Sequence, residues 1–389
     1  MKRISVILLL SASLLCSCSS QGSSDISLTP IQQEITIQQI TSPHDIHSPL
    51  QRAYLDGGDP EAMDNLVADG KHENSKPIPL TLSWEGNSEA YEVHLSESES
   101  FEEEKTYAVK GNSLDITNLK IGTRYFYKVT SPTSSSGISS FLTSSDGPRN
   151  IDIDGVTNVR DVGGWSIGGG KIKQGLLYRG ARLNDSYPEG WVKGGDDTGY
   201  QFTPEITEKG QKTFHDELGI ITEIDMRVSE RNGYPGLPPE EETYSAVNGV
   251  NYIPIPTGGS ANINQCKPQI KQVFDLFADI SNYPMYFHCN IGTDRTGMIT
   301  FLLNAYLGVN EIDLQFDYLF SNFGLIALPN AYSSDPTYKK LSDLTKPTGA
   351  AGVVSTYPGN TFQEKATNCL LDCGISEATL LAIKDILVE

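Results

Sequence analysis

Residues 284–307 restrict the fold of this chain more than any other stretch. A short apolar run opens at Pro284. It is followed by Phe287-His288-Cys289-Asn290-Ile291-Gly292-Thr293-Asp294-Arg295-Thr296-Gly297, and then by a longer apolar run from Met298 to Leu307. The first run reads as a buried strand and the second as a buried helix. The loop between them must therefore join a strand end to a helix N-terminus. The first turn of a helix has unpaired N–H groups and partial positive charge. An anion such as phosphate is held well there.

The side chains in the loop suit that anion. A thiol in such a field is shifted towards thiolate, the attacking form, so Cys289 is the candidate nucleophile. The planar fork of Arg295 can hold two phosphoryl oxygens. Gly292 lets the backbone approach a ligand, and Asn290, Ile291, Gly292 and Thr293 are expected to line the ligand with it. Thr296 can donate a hydroxyl hydrogen bond to the sulfur. His288 is expected to fix the loop from behind. A Cys-x5-Arg pair alone occurs by chance in many chains. The preceding His, the internal Gly, the Thr-Gly ending and the strand–loop–helix context give this one its weight.

The whole 389-residue sequence sets outer limits. Its 38% hydrophobic and 20% charged residues suit a globular protein of one to three domains. A formal net charge of −20 argues against nucleic acid or an anionic membrane surface as partner. No Gly-rich dinucleotide pattern, HExxH or CxxC site occurs, so neither cofactor nor metal is implied. Beyond the N-terminus the cysteines are Cys266, Cys289, Cys369 and Cys373. That is too few for a disulfide scaffold, and Cys369 and Cys373 are expected to pack rather than pair.

Composition divides the chain into four regions. Residues 1–18 carry a basic start (Lys2, Arg3), an apolar stretch and small residues, the pattern of a signal peptide. Leu15-Cys16-Ser17-Cys18-Ser19-Ser20 resembles a bacterial lipoprotein cleavage site with Cys18 as the acylated residue. The alternative is an ordinary cleaved secretion signal, and either implies export. Lipidation would attach the chain to a membrane, in the periplasm or at the cell surface, by acyl chains. Residues 19–75 read as a tether with loosely ordered surface. His44, Asp45 and His47 within it are too few for a metal site.

Residues 76–145 show short alternating runs at 80–84, 90–95, 106–109, 114–116, 125–129 and 138–142, spaced as in a small all-β sandwich. Trp84 is a candidate core residue. The stretch from Leu119 to Val129, with Tyr125 at a corner position, resembles fibronectin type III domains. Ile121 stands where that family often has Pro. Residues 150–389 read as an α/β domain with strands at 176–178 and 220–226. Helices are expected at 269–280, 298–307, 311–320 and 361–371, and a last one is N-capped by Ser376. Ligands in such sheets bind at the carboxyl ends of the strands, where Cys289 falls.

Four motifs occur in order: Asn158-Val-Arg160-Asp161-Val-Gly163-Gly164; Leu177-Tyr-Arg179-Gly-Ala-Arg182-Leu183; Ile224-Asp225-Met-Arg227 with Glu230; and the cysteine loop. Asp317-Tyr318-Leu319 and Ser321-Asn322 follow. Together they resemble the atypical bacterial tyrosine phosphatase family over roughly residues 150–385, with an insertion near 330–360. The resemblance implies a tyrosine phosphatase-like sheet flanked by helices and a cysteine-dependent phosphomonoester hydrolase that forms a phosphocysteine. It further implies a phosphorylated protein or small phosphoester as substrate and no cofactor.

Such chemistry needs an acid for the leaving oxygen and a base for water. The resemblance puts Asp294 first for this role, with Asp225 and then Asp161 after it. Asp225 and Arg227 are either substrate-binding or a structural ion pair. Arg160 and Asp161 are expected to brace the loop. Arg179 and Arg182 either add positive charge to the site or are solvated at the surface. Many members of the family have Lys where this chain has Thr293, which favours phosphotyrosine over phosphoinositides or inositol phosphates. A non-catalytic phosphate-binding surface protein is the competing class. Sulfur transfer is a third, disfavoured by the Arg295-Thr296-Gly297 ending.

Overall fold

The structure, a computed structural model, describes residues 34–67, 73–184, 205–228, 244–258, 261–326 and 338–389. The signal segment with Cys18, the first part of the expected tether and Glu230 lie outside the described residues.

The N-terminal part begins with strand β1 (Thr36–Ile37) and helices α1 (Pro49–Gly57) and α2 (Ala62–Val67). Six strands follow: β2 (Leu80–Glu85), β3 (Tyr91–Ser96), β4 (Glu104–Val109), β5 (Ser113–Ile116), β6 (Arg124–Thr130) and β7 (Ser139–Leu142). They form two antiparallel sheets, of order β1-β2-β5 and β4-β3-β6-β7. Side chains alternate between faces along a strand. Leu80, Leu82 and Trp84 of β2 therefore meet Tyr91, Val93 and Leu95 of β3 and Tyr125, Tyr127 and Val129 of β6 in one core. Tyr125 stacks on Phe141 at 5.2 Å, and its hydroxyl accepts the Lys120 N–H at 2.8 Å.

The C-terminal part is built on a five-stranded sheet. Strand β8 (Arg160–Asp161) is followed by a small hairpin, β9 (Ser166–Ile167) and β10 (Gly170–Lys171), and then by β11 (Leu177–Gly180), β12 (Thr222–Asp225), β13 (Asn251–Pro254) and β14 (Met285–His288). The order is β13-β12-β14-β11-β8, parallel except for β8. The central strand β14 shows why. Met285 and Phe287 enter the large core on one face, while Tyr286 enters a second core on the other. A strand covered on both faces reads as a continuous apolar run.

The helices that cover the sheet are α3 (Glu208–Lys212), α4 (Ile263–Phe277), α5 (Asp294–Leu307), α6 (Glu311–Leu319), α7 (Leu341–Thr345), α8 (Ala350–Ser355), α9 (Phe362–Asp372) and α10 (Glu377–Leu387). Every residue of α5 from Thr296 to Leu307 is buried. That explains an apolar run without amphipathic periodicity. Helix α4 starts six positions before the expected boundary and carries Pro268 inside it. Burial of Ile263 and Cys266 extends the helix past the proline. Ser376 caps α10 by accepting the Thr379 N–H, and Cys369 and Cys373 are buried free thiols.

Two findings correct the regional reading. Residues 34–67 are not a loose tether. β1 pairs with β2, while Tyr54 and Met63 of α1 and α2 lie in the large C-terminal core. Tyr54 meets Phe316 edge-on at 5.1 Å and donates to the Pro60 carbonyl. The two β-rich parts are also tied together by polar contacts. Arg149 donates to the carbonyls of Leu119 and Asn118 on one side and to Asp161 on the other. The Gln174 side chain takes both the N–H and the carbonyl of Ile121.

Tyr54→Ala should lower the unfolding free energy by roughly 3–5 kcal/mol, as for other large aromatic truncations. Denaturant unfolding of the full chain measures this, and a change near zero would restore the tether reading.

Candidate active site

Register within the sheet sets the site. Gly180 of β11 and Asp225 of β12 both lie beside His288 of β14. The segments leaving these three strands, 181–183, 226–228 and 289–293, therefore emerge together at the carboxyl edge of the sheet. The loop after β14 folds against its neighbours through its carbonyl groups. Asn290 O accepts from the N–H and Nη1 of Arg182 at 3.0 and 3.2 Å. Ile291 O accepts from Asn158 Nδ2 at 2.9 Å, and Gly292 O accepts from Arg179 Nη2 at 2.8 Å.

A trans peptide points its N–H opposite to its C=O. With three successive carbonyls bound outward, the N–H groups of Ile291, Gly292 and Thr293 face the hollow of the loop. The first amides of α5 continue the series. Among the described residues no backbone carbonyl outside the helix accepts from the N–H groups at 290–296. The hollow is a cradle of donors at a helix N-terminus, suited to a tetrahedral anion. Gly292 makes the turn possible. Its φ is +70°, and a Cβ there would stand 2.4 Å from the Gly180 carbonyl oxygen.

Cys289 lies at the floor of this cradle, 2% exposed. Burial pushes its thiol up, but Arg295 and the hydroxyl and N–H of Thr296 outweigh burial and hold it below the ordinary cysteine range. The Thr296 hydroxyl is buried without another hydrogen-bond partner, which leaves it for the sulfur. Arg295 is anchored by Nη1 to the Met226 carbonyl at 2.8 Å. His288 stays behind the loop: Nδ1 meets the Cys289 carbonyl at 2.9 Å and Nε2 meets Glu223 at 2.8 Å. Burial lowers its pKa, but Asp225 and Glu223 raise it further, so the imidazolium is favoured.

The three candidate acids separate clearly. Asp294 is the first residue of α5 and half exposed, with Oδ1 2.7 Å from Lys339 Nζ and Oδ2 accepting from the Thr293 hydroxyl. Asp225 and Arg227, open in sequence between substrate binding and a structural ion pair, are buried and paired with each other. Arg227 donates to both Asp225 oxygens, and the Tyr252 hydroxyl donates to Asp225 at 2.8 Å. Burial alone would raise the Asp225 pKa, but His288 and Arg227 hold it low. Asp161 is fully buried too, and accepts from Arg149, Gly163 N–H and Gly175 N–H. These donors all lie outside the loop, so in its described contacts it neither touches the cradle nor braces the loop.

Arg179 and Arg182 are buried rather than solvated at the surface, and Arg160, expected to brace the loop, is buried with them. Arg179 and Arg182 hold the loop's carbonyls, while Arg160 grips Asn158, Ser321 and the Asp317 carbonyl. Asp317 is the shared counterion of Arg160 and Arg179. Burial, with Arg179 alongside, pulls the Arg160 guanidinium down to about 9, so it remains charged at neutral pH. In sequence Asn158 and Asp317 stand within motifs that assign them no role, and Lys339 lies in no motif at all.

Glu223, Asp225 and His288 could in principle hold a metal, since their ligand atoms lie within 4.8 Å of one another. They do not fit one. His288 and Glu223 are bonded to each other, and the Arg227 guanidinium already neutralises Asp225. His47 is likewise engaged by Asp45 and the Pro148 carbonyl, and His44 by the Ile78 carbonyl.

Two tests follow from this geometry. Arg295→Met should move the pH midpoint of Cys289 alkylation upward, because the thiolate loses its largest stabilising charge; an unmoved midpoint would remove Arg295 as the cause. Gly292→Ala should cost roughly 1–3 kcal/mol of stability through backbone strain and weaken binding of inorganic phosphate. Denaturant unfolding and calorimetric titration read the two effects, and unchanged values would show that the turn does not require glycine.

The model of the tyrosine phosphatase family matches residues 151–193 and 202–364 of this chain. A Cupriavidus necator protein provisionally named a tyrosine-protein phosphatase is 23% identical over 203 residues, 45% of this chain and 64% of that protein. The alignment thus spans somewhat less than two thirds of the relative's length. The solved core catalytic domain of an S. cerevisiae PP-IP phosphatase, in complex with citrate, aligns over 36% of this chain and 78% of that chain, at 15% identity and a TM-score of 0.22. With more than half of its length matched by the family model, this chain belongs to the tyrosine phosphatase family.

Proposed function

We propose that this chain hydrolyses phosphomonoesters through a phosphocysteine intermediate and that its substrate is a phosphorylated tyrosine. The observation that carries the reading is the loop whose amides turn inward around a thiol held below its ordinary range. In the first step the Cys289 thiolate forms a bond to phosphorus. The phosphorus–oxygen bond to the leaving group breaks, and Asp294 gives that oxygen its proton. In the second step water attacks phosphorus, Asp294 takes a proton from it, and the sulfur leaves with its electron pair, eased by the Thr296 hydroxyl. Arg295 and the loop amides hold the three non-bridging oxygens through both steps, where their charge stabilises the transition state most.

Asp294 suits the acid–base role because it alone of the three candidates reaches solvent beside the cradle. The arginine placements support a single-phosphate substrate. Arg160, Arg179 and Arg182 are bound to the protein behind the loop, and Thr293 turns its hydroxyl to Asp294. An inositol polyphosphate would need such cations facing outward. In the same reading the protein is exported, with Cys18 as the point of acylation, and carries a fibronectin type III-like module. The order of the two antiparallel sheets and the Tyr125–Lys120 contact support that module.

The purified chain should hydrolyse an aryl phosphate, and Cys289→Ser should abolish turnover; activity that survives the substitution would overturn the mechanism. On a panel of phosphotyrosine peptides, phosphoinositides and inositol polyphosphates, the peptides should give the highest kcat/KM. Binding of a phosphopeptide without turnover would favour the non-catalytic alternative.

A further inference from the structure

We propose that Lys339 is a positioning residue for Asp294, and that Asn322 is what holds Lys339 in place. The inference rests on the phosphatase reading above and names the device that keeps its acid–base group in register.

Asp294 sits on the first turn of α5 with its side chain 48% exposed. An exposed carboxylate on such a short stem samples several rotamers, and few of them aim an oxygen at a leaving group. Its two oxygens are held separately here, Oδ1 by Lys339 Nζ at 2.7 Å and Oδ2 by the Thr293 hydroxyl at 3.2 Å. An ion pair between two mobile surface side chains contributes little, because both lose freedom on pairing. Lys339 differs from a surface lysine. Its side chain is only 11% exposed.

Its backbone is clamped at two points by one side chain. Asn322 Oδ1 accepts the Lys339 N–H at 2.9 Å, and Asn322 Nδ2 donates to the Lys339 carbonyl at 2.9 Å. The amide pairs with the peptide as a neighbouring strand would, and Asn322 is itself 3% exposed. Little of the lysine's freedom remains to be lost when it meets Asp294.

The clamp shares its origin with the loop's other supports. Residues 317–322 supply Asp317 and Ser321 to the arginines behind the cradle, and Asn322 to Lys339. One short stretch therefore fixes both the cradle's amides and the carboxylate beside them. Misplacing a catalytic group by about an ångström can cost on the order of a hundredfold in rate. Lys339 acts by orienting the group that moves a proton.

The test separates positioning of an acid from general damage by varying the leaving group. Dinitrophenyl phosphate needs little protonation of its leaving oxygen, and phenyl phosphate needs it fully. The readout is the ratio of kcat/KM on the two substrates, which does not depend on how much of a variant is folded. Lys339→Met should shift that ratio against phenyl phosphate by about tenfold or more, and Asp294→Asn should shift it further, within the usual 10²–10⁴ range for a positioned acid. The double variant should show no loss beyond Asp294→Asn. Lys339→Arg should recover part of the ratio, and Asn322→Ala should lower it in the Lys339 background only.

An unchanged ratio in Lys339→Met, or a full additional loss in the double variant, would overturn the inference while leaving the phosphatase reading intact. Turnover that survives Cys289→Ser would overturn that reading, and this inference with it.

Discussion

The outward binding of three successive carbonyls, at Asn290, Ile291 and Gly292, is the constraint on which the site depends. A peptide group cannot turn its oxygen away without turning its hydrogen inward. Asn158, Arg179 and Arg182 therefore create the donors of the cradle without touching its contents. A buried carbonyl left unbonded would cost about 1–3 kcal/mol, so each anchor also protects the conformation against collapse. The positively charged side chains behind the loop act on its shape, and in the proposed mechanism Arg295 is left to act on its ligand.

That arrangement concentrates charge in the interior. Arg160 and Arg179 share Asp317, while Arg227 and His288 surround Asp225 and Glu223. Removing one member of such a group leaves the others uncompensated, which is far costlier than loss of the pair as a whole. Within these groups His288 ties β14 to Glu223 of β12, Asp317 of α6 ties Arg160 of β8 to Arg179 of β11, and Arg227 pairs with Asp225 at the end of one strand.

Parts of this were legible in the sequence and parts were not. The strand–loop–helix around Cys289 was legible because both flanks are apolar and the loop is dense in special residues. The roles of Asp225 and Asp161 were not. A carboxylate at a strand end looks the same in sequence whether it faces a ligand or a buried arginine, and only burial with partner geometry separates the two. Arg179 and Arg182 looked like spare charge for the same reason. The tether reading of residues 34–67 failed because their polar average hides a few anchoring side chains, Tyr54 and Met63 foremost, and the ring partners of Tyr54, Phe316, Phe320 and Phe323, lie more than two hundred residues away. Lys339 was invisible because its position depends on an amide clamp that has no sequence signature.

Arg149 gives the boundary between the two β-rich parts an unexpected character. The natural place to divide the chain is residue 150, where composition changes and the α/β part begins. A fragment cut there would leave Asp161 buried without its counterion and Gln174 without the Ile121 peptide it straddles. The hinge-like position between modules is therefore a staple, and the N-terminal sheets are part of what makes the catalytic sheet a finished object.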